Sequence, residues 1–433
     1  MRSHFALSRL ILLRVLVAIV AMSAAVRVMS PSFAAGYDEK LLYSFCDRLN
    51  CTDGQTPLIG LLMDQTENLY GTTRLGGKFQ QGVLFQLTPD ADKGKWTRKV
   101  LYSFCARANC ADGKQANGVL IRDTAGNLYG TTVSGGKFNE GTFFKLEPGT
   151  KRRSFHVLHD FCESAECTDG MWPETGVAYA GQAAGLPWDG SSPLYGTTTL
   201  GGKFGNGLIY QLSLNGSRWR YKVLKDLRSA TLPQDLFVDA TGNLVATTSQ
   251  GGRYGGGTIF RLEAGTWNQT VLYQFCAQAN CLDGTNPVGR LVSDGAGNFF
   301  GVGYAGGTSN AGVVFEFTSR GKYKVLYNFC SLAGCADGGN PLAGLLLDAD
   351  GHLFGTTSFG GASGLQVAGT AFKLTHRRGW RETTLYSFCS KVNCADGAAP
   401  RGAFVSDSLG NLFNTTSDGG RNGAFGTVLE LRK

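Results

Sequence analysis

The chain has 433 residues, a length that fits either several domains or one large all-β domain. Glycine contributes 62 residues and charged residues only 17%, so the composition excludes a typical disordered protein and favours a fold with many turns. The formal net charge of +8 is modest for this length and does not indicate a protein that binds nucleic acid.

Residues 1–34 have the organisation of a secretory signal peptide. A basic start precedes an apolar run interrupted by Arg14, and Ser32 and Ala34 are small residues that signal peptidase accepts. We predict cleavage after Ala34, with a retained membrane anchor as the alternative because the apolar run is long. Four arginines and no acid lie in this leader, so cleavage lowers the net charge from +8 to +4. No later stretch is long and apolar enough to span a bilayer, so we expect an extracellular, periplasmic or cell-surface protein.

Six copies of the pattern F-C-x4-C-x-D-G follow the leader. Their first cysteines are 59, 57, 114, 54 and 59 residues apart. Because 114 is two periods, a seventh copy without cysteines must fill the gap, and residues 235–262 supply it. The repeats begin near residues 38, 98, 154, 220, 269, 323 and 382.

Each copy contains four short segments rich in apolar, β-branched and aromatic residues. In the second copy these are residues 99–104, 118–123, 127–132 and 141–146, and their length and flanking Gly, Asp and Asn residues predict strands. Four strands form a blade, and blades bury both faces of every sheet by closing into a ring. We therefore predict an all-β fold, in which residues 35–433 are a single seven-bladed β-propeller. A β-solenoid or a string of small domains is the alternative.

The two ends of the predicted domain support a closed ring. Residues 40–45 form an outer strand with no preceding strands, and residues 426–431 form a third strand with no successor. Pairing these two segments would complete the seventh blade and remove two free sheet edges.

Twelve cysteines in an exported chain indicate disulfide bonds. The simplest connectivity pairs the two cysteines of each copy: Cys46–Cys51, Cys105–Cys110, Cys162–Cys167, Cys276–Cys281, Cys330–Cys335 and Cys389–Cys394. A zinc site is the alternative, but its four ligands would have to come from the loops of two blades. We therefore predict no metal and no cofactor.

An Asp-Gly pair follows the second cysteine of each of these copies, which places six carboxylates near one mouth of the channel: Asp53, Asp112, Asp169, Asp283, Asp337 and Asp396. Such a ring could hold a cation, but turns in which Asp accepts backbone N–H groups explain the repetition better, so we interpret these residues as mainly structural. The aspartates after the first strand are likewise interpreted as hairpin residues: Asp64, Asp123, Asp239, Asp294, Asp348 and Asp407.

The segment from Asp123 to Leu146 reads DTAGNLYGTTVSGGKFNEGTFFKL and combines Gly-Thr-Thr with Gly-Gly. This combination resembles the GloVer tandem repeat of bacterial surface and exported proteins, and the resemblance covers essentially the whole mature chain. It implies a propeller-like exported protein of unassigned activity, and it supplies no catalytic residue.

In a propeller, the loops between the fourth and first strands and those between the second and third strands emerge on the same face. In four consecutive copies the Gly-Gly loop on this face continues with a cation and an aromatic residue: Lys78 and Phe79, Lys137 and Phe138, Lys203 and Phe204, Arg253 and Tyr254. Aromatic rings stack on sugars and cations attract carboxylate or sulfate groups, so these residues predict a site for an acidic glycan. Packing of the rings between blades is the alternative.

We therefore expect a monomeric, secreted or surface-associated binding protein whose partner is an extracellular glycan or protein. The alternative function is a polysaccharide-acting hydrolase or lyase with carboxylates converging at the channel mouth. No histidine adjoins an obvious Ser or Cys nucleophile, so no catalytic residue is assigned. Residues 181–193 are an insertion in the third copy, in which Trp188 is expected to be an exposed partner contact or part of a tolerated loop.

Overall fold

The computed structural model describes residues 37–147, 154–228, 232–362, 368–376 and 379–433. The predicted signal peptide lies outside these residues. Gly36–Lys433 make up one structural unit, which contains seven antiparallel sheets arranged as the predicted seven-bladed β-propeller. Within the described ranges, no helix has the length and hydropathy needed to cross a membrane.

We number the blades in chain order of their inner strands, from which the other strands follow outward. Blade 1 comprises Leu62–Met63, Leu69–Thr72, Val83–Pro89 and Trp96–Ser103. Blade 2 comprises Lys114–Ala116, Ile121–Arg122, Leu128–Ser134, Thr142–Glu147 and Ser154–Asp160. Blade 3 comprises Leu194–Thr198, Leu208–Asn215 and Arg218–Asp226, with a bridge between Ala178 and Tyr195 at its inner edge.

The other four blades repeat this plan. Blade 4 comprises Phe237–Val238, Leu244–Thr248, Thr258–Leu262 and Gln269–Gln274. Blade 5 comprises Thr285–Ser293, Phe299–Ala305, Val313–Phe317 and Tyr323–Asn328. Blade 6 comprises Leu346–Leu347, Leu353–Thr357, Thr370–His376 and Trp380–Ser387. Blade 7 comprises Ala398–Pro400, Val405–Ser406, Leu412–Asp418, Thr427–Arg432 and Asp38–Ser44.

Short 3-10 helical turns lie between the strands. Six of them end at the second cysteine of a copy: Leu49–Cys51, Ala108–Cys110, Ala165–Cys167, Ala279–Cys281, Ala333–Cys335 and Val392–Cys394. One further turn, Gln182–Ala184, lies in the insertion of the third copy.

The ring closes as the sequence predicts. Asp38–Ser44 pairs antiparallel with Thr427–Arg432, beginning with Asp38 opposite Arg432 and ending with Ser44 opposite Thr427. The first strand of the domain thus becomes the outer strand of blade 7. We call this pairing the seam.

The core lies between the blades. The phenylalanine before the first cysteine is fully buried in every copy that has one: Phe45, Phe104, Phe161, Phe275, Phe329 and Phe388. Phe104, which follows the outer strand of blade 1, meets the ring of Phe144 in blade 2 edge-on at 5.4 Å. Leu227 takes this buried position between blades 3 and 4, where the cysteines are missing. Burial of each such side chain contributes on the order of 2 kcal/mol.

The expectation that Trp188 is exposed is wrong. Its side chain is only 1% exposed, and its ring packs against Tyr129 of blade 2 at 5.1 Å. The backbone explains this placement, because Trp188 N–H donates to the carbonyl of Arg122 and Thr124 N–H donates to the carbonyl of Trp188, both at 3.0 Å. The insertion is therefore anchored to the neighbouring blade.

Candidate functional site

The twelve cysteines form six disulfides, each within one copy: Cys46–Cys51, Cys105–Cys110, Cys162–Cys167, Cys276–Cys281, Cys330–Cys335 and Cys389–Cys394. Each closes a short connection between blades, and we call these connections the cystine loops (46–54, 105–113, 162–170, 276–284, 330–338 and 389–397). Such disulfides are typical of proteins that fold in an oxidising compartment.

The aspartate of each Asp-Gly pair accepts hydrogen bonds inside its own cystine loop. Asp112 accepts from the Tyr102 hydroxyl at 2.6 Å, from Ala106 N–H at 2.8 Å and from Arg107 N–H at 3.0 Å. The same three kinds of donor surround the fully buried Asp53, Asp283, Asp337 and Asp396. Asp169 is half-buried, and His159 stands where the other copies have tyrosine. Among the described residues that line the central channel, none belongs to this set.

The cystine loops and the Gly-Gly loops lie side by side. Gly77 N–H donates to the Cys51 carbonyl and Gly136 N–H to the Cys110 carbonyl, each at 2.9 Å, and four further copies repeat this bond. The two sets of loops therefore share one face of the ring, which we call the cystine face.

A polar residue two positions before the first cysteine, or before Arg228 in the cysteine-free copy, holds the tip of each Gly-Gly loop. Lys137 N–H donates to Asp160 at 2.8 Å, and Lys203 N–H donates to Asp226 at 2.7 Å. The same position accepts from the Gly-Gly loop in the other copies: Ser44, Ser103, Gln274, Asn328 and Ser387. This role was not predicted from the sequence, although a polar residue precedes Phe-Cys in the six copies with cysteines and precedes Leu227 in the seventh.

The predicted cation and aromatic residues lie on the tips of four consecutive Gly-Gly loops, and we call them the cation–aromatic arc. Phe79, Phe204 and Tyr254 are 37%, 38% and 47% exposed, whereas Phe138 is half-buried. In each pair the cation lies over the neighbouring ring, at 5.3 Å for Lys78, 5.0 Å for Lys137, 5.9 Å for Lys203 and 5.6 Å for Arg253. The Arg228 guanidinium also lies 5.0 Å from the Phe204 ring. The arc therefore presents cations and open ring surface together.

Exposed apolar side chains concentrate on the same face. Among the described residues, most of the large apolar side chains that are exposed lie on cystine or Gly-Gly loops: Leu49, Phe79, Phe204, Tyr254, Leu282, Leu332 and Val392. Leu49 and Val392 are the most exposed, at 85% and 84%. Apolar surface collected on one side of a protein is typical of an interaction surface.

The inner strands surround a central channel with a cavity volume of about 1330 Å³. The hairpin aspartates after the first strands (Asp64, Asp123, Asp239, Asp294, Asp348 and Asp407) are called the turn aspartates. The residues four positions before them form one ring of the channel wall. In most blades these wall residues are small or apolar: Gly60, Val119, Gly344 and Ala403. Gly176 takes this place in blade 3, where a Cβ would lie 2.8 Å from the Val119 carbonyl oxygen. Blades 4 and 5 differ, because they place Asp235 and Arg290 side by side in the ring.

Asp235 and Arg290 influence each other without forming an ion pair. One Asp235 oxygen accepts the Gly176 N–H at 2.9 Å. Burial raises the pKa of the Asp235 carboxyl above its ordinary value, although the charge of Arg290 opposes this shift. Within the described residues no hydrogen bond or ion pair of the Arg290 guanidinium is found, and its Nε is buried without a partner. Neither residue was predicted from the sequence as part of a site.

The turn aspartates form hairpins, as interpreted from the sequence. Asp64, for example, accepts from Thr66 N–H and Asn68 N–H at 3.0 and 2.9 Å. In the described chain, Asp348, Asp350 and His352 form a cluster whose ligand atoms all lie within 4.8 Å of one another. Asp348 already accepts from the backbone N–H groups of the other two residues, so the hairpin accounts for this geometry.

Glu382, on the outer strand of blade 6, is a half-buried acid near Asp337 of a cystine loop. Burial raises its pKa to about 7, the negative charge of Asp337 adds to this, and a hydrogen bond from Thr384 at 3.0 Å opposes it. The unfolded chain therefore loses this proton at lower pH than the folded protein. The contribution of Glu382 to stability is therefore greatest below the unfolded pKa of 4.5 and falls as pH rises to about 7, by at most about 3 kcal/mol before solvent screening.

We expect the Glu382→Gln variant to lack this component of the pH dependence. The measurement is the melting temperature of both proteins between pH 4 and 8. Parallel curves for the two proteins would contradict a raised pKa at Glu382.

Comparison with solved structures supports the fold. The chain is similar to virginiamycin B lyase from Staphylococcus aureus, with 11% identity and a TM-score of 0.54 over 92% of this chain and 99% of that one. A streptogramin B lyase structure gives 13% identity and a TM-score of 0.54 over 92% and 98%. A protein from Lactobacillus plantarum gives 14% identity and a TM-score of 0.50 over 81% and 88%. At these identities the likeness shows the propeller fold alone.

Sequence comparison assigns the family. No curated protein matches the chain. The Gloeobacter/Verrucomicrobia repeat matches residues 34–188 and 175–337, which together cover more than half of the chain and agree with the resemblance seen in the repeat motif. The chain therefore belongs to the Gloeobacter/Verrucomicrobia repeat family.

Proposed function

We propose that the protein is an exported binding propeller whose cystine face binds an acidic glycan at the cation–aromatic arc. The observation that carries the proposal is the repetition of a cation above an aromatic ring on four consecutive blades, with the ring exposed on three of them. A repeated polymer suits a repeated site, because successive sugar units can engage successive loops and gain affinity together. The predicted signal peptide and the six disulfides support export.

The loops that carry the arc are rigid, which favours binding. Each tip is fixed by a hydrogen bond from its backbone to the outer strand of the same blade, as in blades 2 and 3. The cystine loop beside the blade 2 tip is itself fixed by a disulfide and by the buried Asp112. A binding surface that is already ordered loses little conformational entropy when its ligand arrives. The cations supply attraction for carboxylate or sulfate groups, and the rings supply stacking surface for sugars.

The first test replaces three cations of the arc with glutamate, as Lys78→Glu, Lys137→Glu and Lys203→Glu in one variant. We expect binding to acidic polysaccharides, measured on a panel of polygalacturonate, alginate and chondroitin sulfate with dextran as the neutral control, to weaken at least tenfold. Lys99→Glu, Lys222→Glu and Lys324→Glu together form the matched control, because these exposed lysines lie on outer strands and change the net charge equally. Equal loss in both variants would contradict a site on the arc.

A second variant tests stacking separately from charge. Phe79→Ala, Phe204→Ala and Tyr254→Ala remove the rings while keeping the cations, and they should weaken glycan binding without altering the melting temperature. Binding of the parent protein to dextran as strongly as to the acidic polymers, or to vesicles of anionic lipid alone, would contradict the proposal.

A polysaccharide hydrolase or lyase is the second candidate. Among the described residues, the channel wall contains acids outside the hairpin turns, Glu174 and Asp235, and two structures with the same fold are named as lyases. Their identity to this chain is too low to extend an activity to it. Incubation of the same polysaccharides with the protein, followed by assay of new reducing ends and unsaturated products, distinguishes an enzyme from a binding protein.

A further inference from the structure

The channel contains one charged pair whose purpose the propeller architecture does not explain. At the level of Gly60, Val119 and Ala403 the wall residues are small or apolar, and neighbouring inner strands approach each other closely there, as at Gly60 and Ala403. Asp235 and Arg290 break this pattern on two adjacent strands. Exposing a carboxylate and a guanidinium to a narrow channel costs free energy unless each finds a partner.

Both groups retain free hydrogen-bonding capacity. The Gly176 N–H occupies one oxygen of Asp235, and no donor among the described residues bonds to the other. Arg290 keeps its five N–H donors, with the Nε buried and unpartnered. Their nitrogen and oxygen atoms lie beyond ion-pair distance, so the two charges attract each other but do not neutralise each other directly.

We propose that the central channel is a second binding site, distinct from the cation–aromatic arc, for a small zwitterion that carries an ammonium and a carboxylate group. Arg290 binds the carboxylate, with the paired geometry that a guanidinium offers to two oxygens. Asp235 binds the ammonium through its free oxygen. The cavity of about 1330 Å³ has room for an amino acid or a short peptide.

The alternative explanation is that both residues only stabilise the ring. For Asp235 this role is real but partial, since its bond to Gly176 joins blades 3 and 4 through one oxygen. The neighbouring Gln234 has a purely structural side chain, because both of its polar atoms have partners in the protein. Its oxygen accepts Gly289 N–H at 3.2 Å, and its nitrogen donates to the Leu232 carbonyl at 3.0 Å. Arg290 has no comparable bonds among the described residues.

The test measures binding of defined zwitterions by calorimetry and by thermal shift. The probes are L-alanine and the peptides of two and three alanines, which vary the distance between the charges. Each has two blocked forms, the N-acetyl compound without the ammonium and the C-terminal amide without the carboxylate. We expect at least one zwitterion to bind with one molecule per chain, and at least tenfold more tightly than either of its blocked forms.

Three variants show which residue binds which group of the ligand. Arg290→Gln should remove the preference for the carboxylate, and Arg290→Lys should restore part of it. Asp235→Asn should remove the preference for the ammonium while its side-chain oxygen still accepts the Gly176 N–H. Glu174→Gln and Arg401→Gln are the matched controls, because they remove the same charges elsewhere in the channel wall. These controls should leave binding unchanged.

Three results would overturn the proposal: no zwitterion binds, the blocked compounds bind equally well, or both Asp235→Asn and Arg290→Gln bind like the parent protein. The thermal melt of each variant shows whether it is folded. Because the arc variants leave the channel unchanged and the channel variants leave the arc unchanged, either proposal can fail without the other.

Discussion

The Asp112→Ala variant is expected to lose about 3 kcal/mol or more of its free energy of unfolding. The substitution leaves the Tyr102 hydroxyl and the N–H groups of Ala106 and Arg107 without their acceptor, in a place where the aspartate itself is fully buried. An unsatisfied buried donor costs about 1–3 kcal/mol, and bonds to a charged acceptor are the stronger ones. Denaturation by guanidinium chloride under oxidising conditions measures the change.

The third copy supplies a control for this prediction. Asp169 is half-buried, and in the described structure no tyrosine hydroxyl bonds to its carboxylate, although the Tyr221 hydroxyl donates to its backbone carbonyl at 2.6 Å. The Asp169→Ala variant should therefore lose clearly less stability than Asp112→Ala. If both substitutions cost the same, the buried hydrogen bonds are not what makes Asp112 important.

The second large effect is expected at Gly207, at the end of the Gly-Gly loop of blade 3. Its φ angle is +83°, and a Cβ there would lie 2.1 Å from the Thr198 carbonyl oxygen. The Gly207→Ala variant must therefore move the backbone of two paired strands as well as accept a left-handed conformation. We expect a loss of more than about 3 kcal/mol, or failure to accumulate as folded protein.

Gly205 lies in the same loop, and its substitution distinguishes the steric clash of a Cβ from the cost of a left-handed backbone conformation. Its φ angle is +72°, but a Cβ there would have nothing within 4 Å. Gly205→Ala should cost only the conformational term, roughly 1 kcal/mol. Thermal melts of the two variants provide the comparison, and similar melting temperatures would show that the close approach at Gly207 is relieved by small movements.

The features that could be predicted from the sequence are those that depend on the regular spacing of its repeats. The count of seven blades follows from cysteine spacings and from the double gap, and the seam follows from the two incomplete sets of strands at residues 40–45 and 426–431. Both predictions are confirmed, because equivalent positions in a repeat must occupy equivalent places in the ring.

Contacts made by segments that depart from the repeat pattern could not be predicted from the repeat spacing. The insertion with Trp188 is rich in Gly, Pro, Ser and Asp, which indicates an exposed loop, yet its backbone pairs with the hairpin of blade 2 and its ring is buried. Asp235 and Arg290 occupy equivalent positions only when each is counted back from its own hairpin aspartate. The cysteine-free copy has one residue fewer between its proline and that aspartate, Pro233 to Asp239 against Pro287 to Asp294. The proposed ligands of the arc and the channel remain predictions.

The seam also sets how the ring responds to mechanical load. Asp38 and Arg432 are paired at the end of the sheet where both chain termini leave it, and none of the six disulfides connects these two strands. A force that pulls the termini apart therefore breaks the backbone hydrogen bonds of the seam one after another, in the unzipping geometry. It does not load them together, as it would in the shear geometry. Disulfides hold the cystine loops of the propeller, but under tension between its termini the ring would open at blade 7.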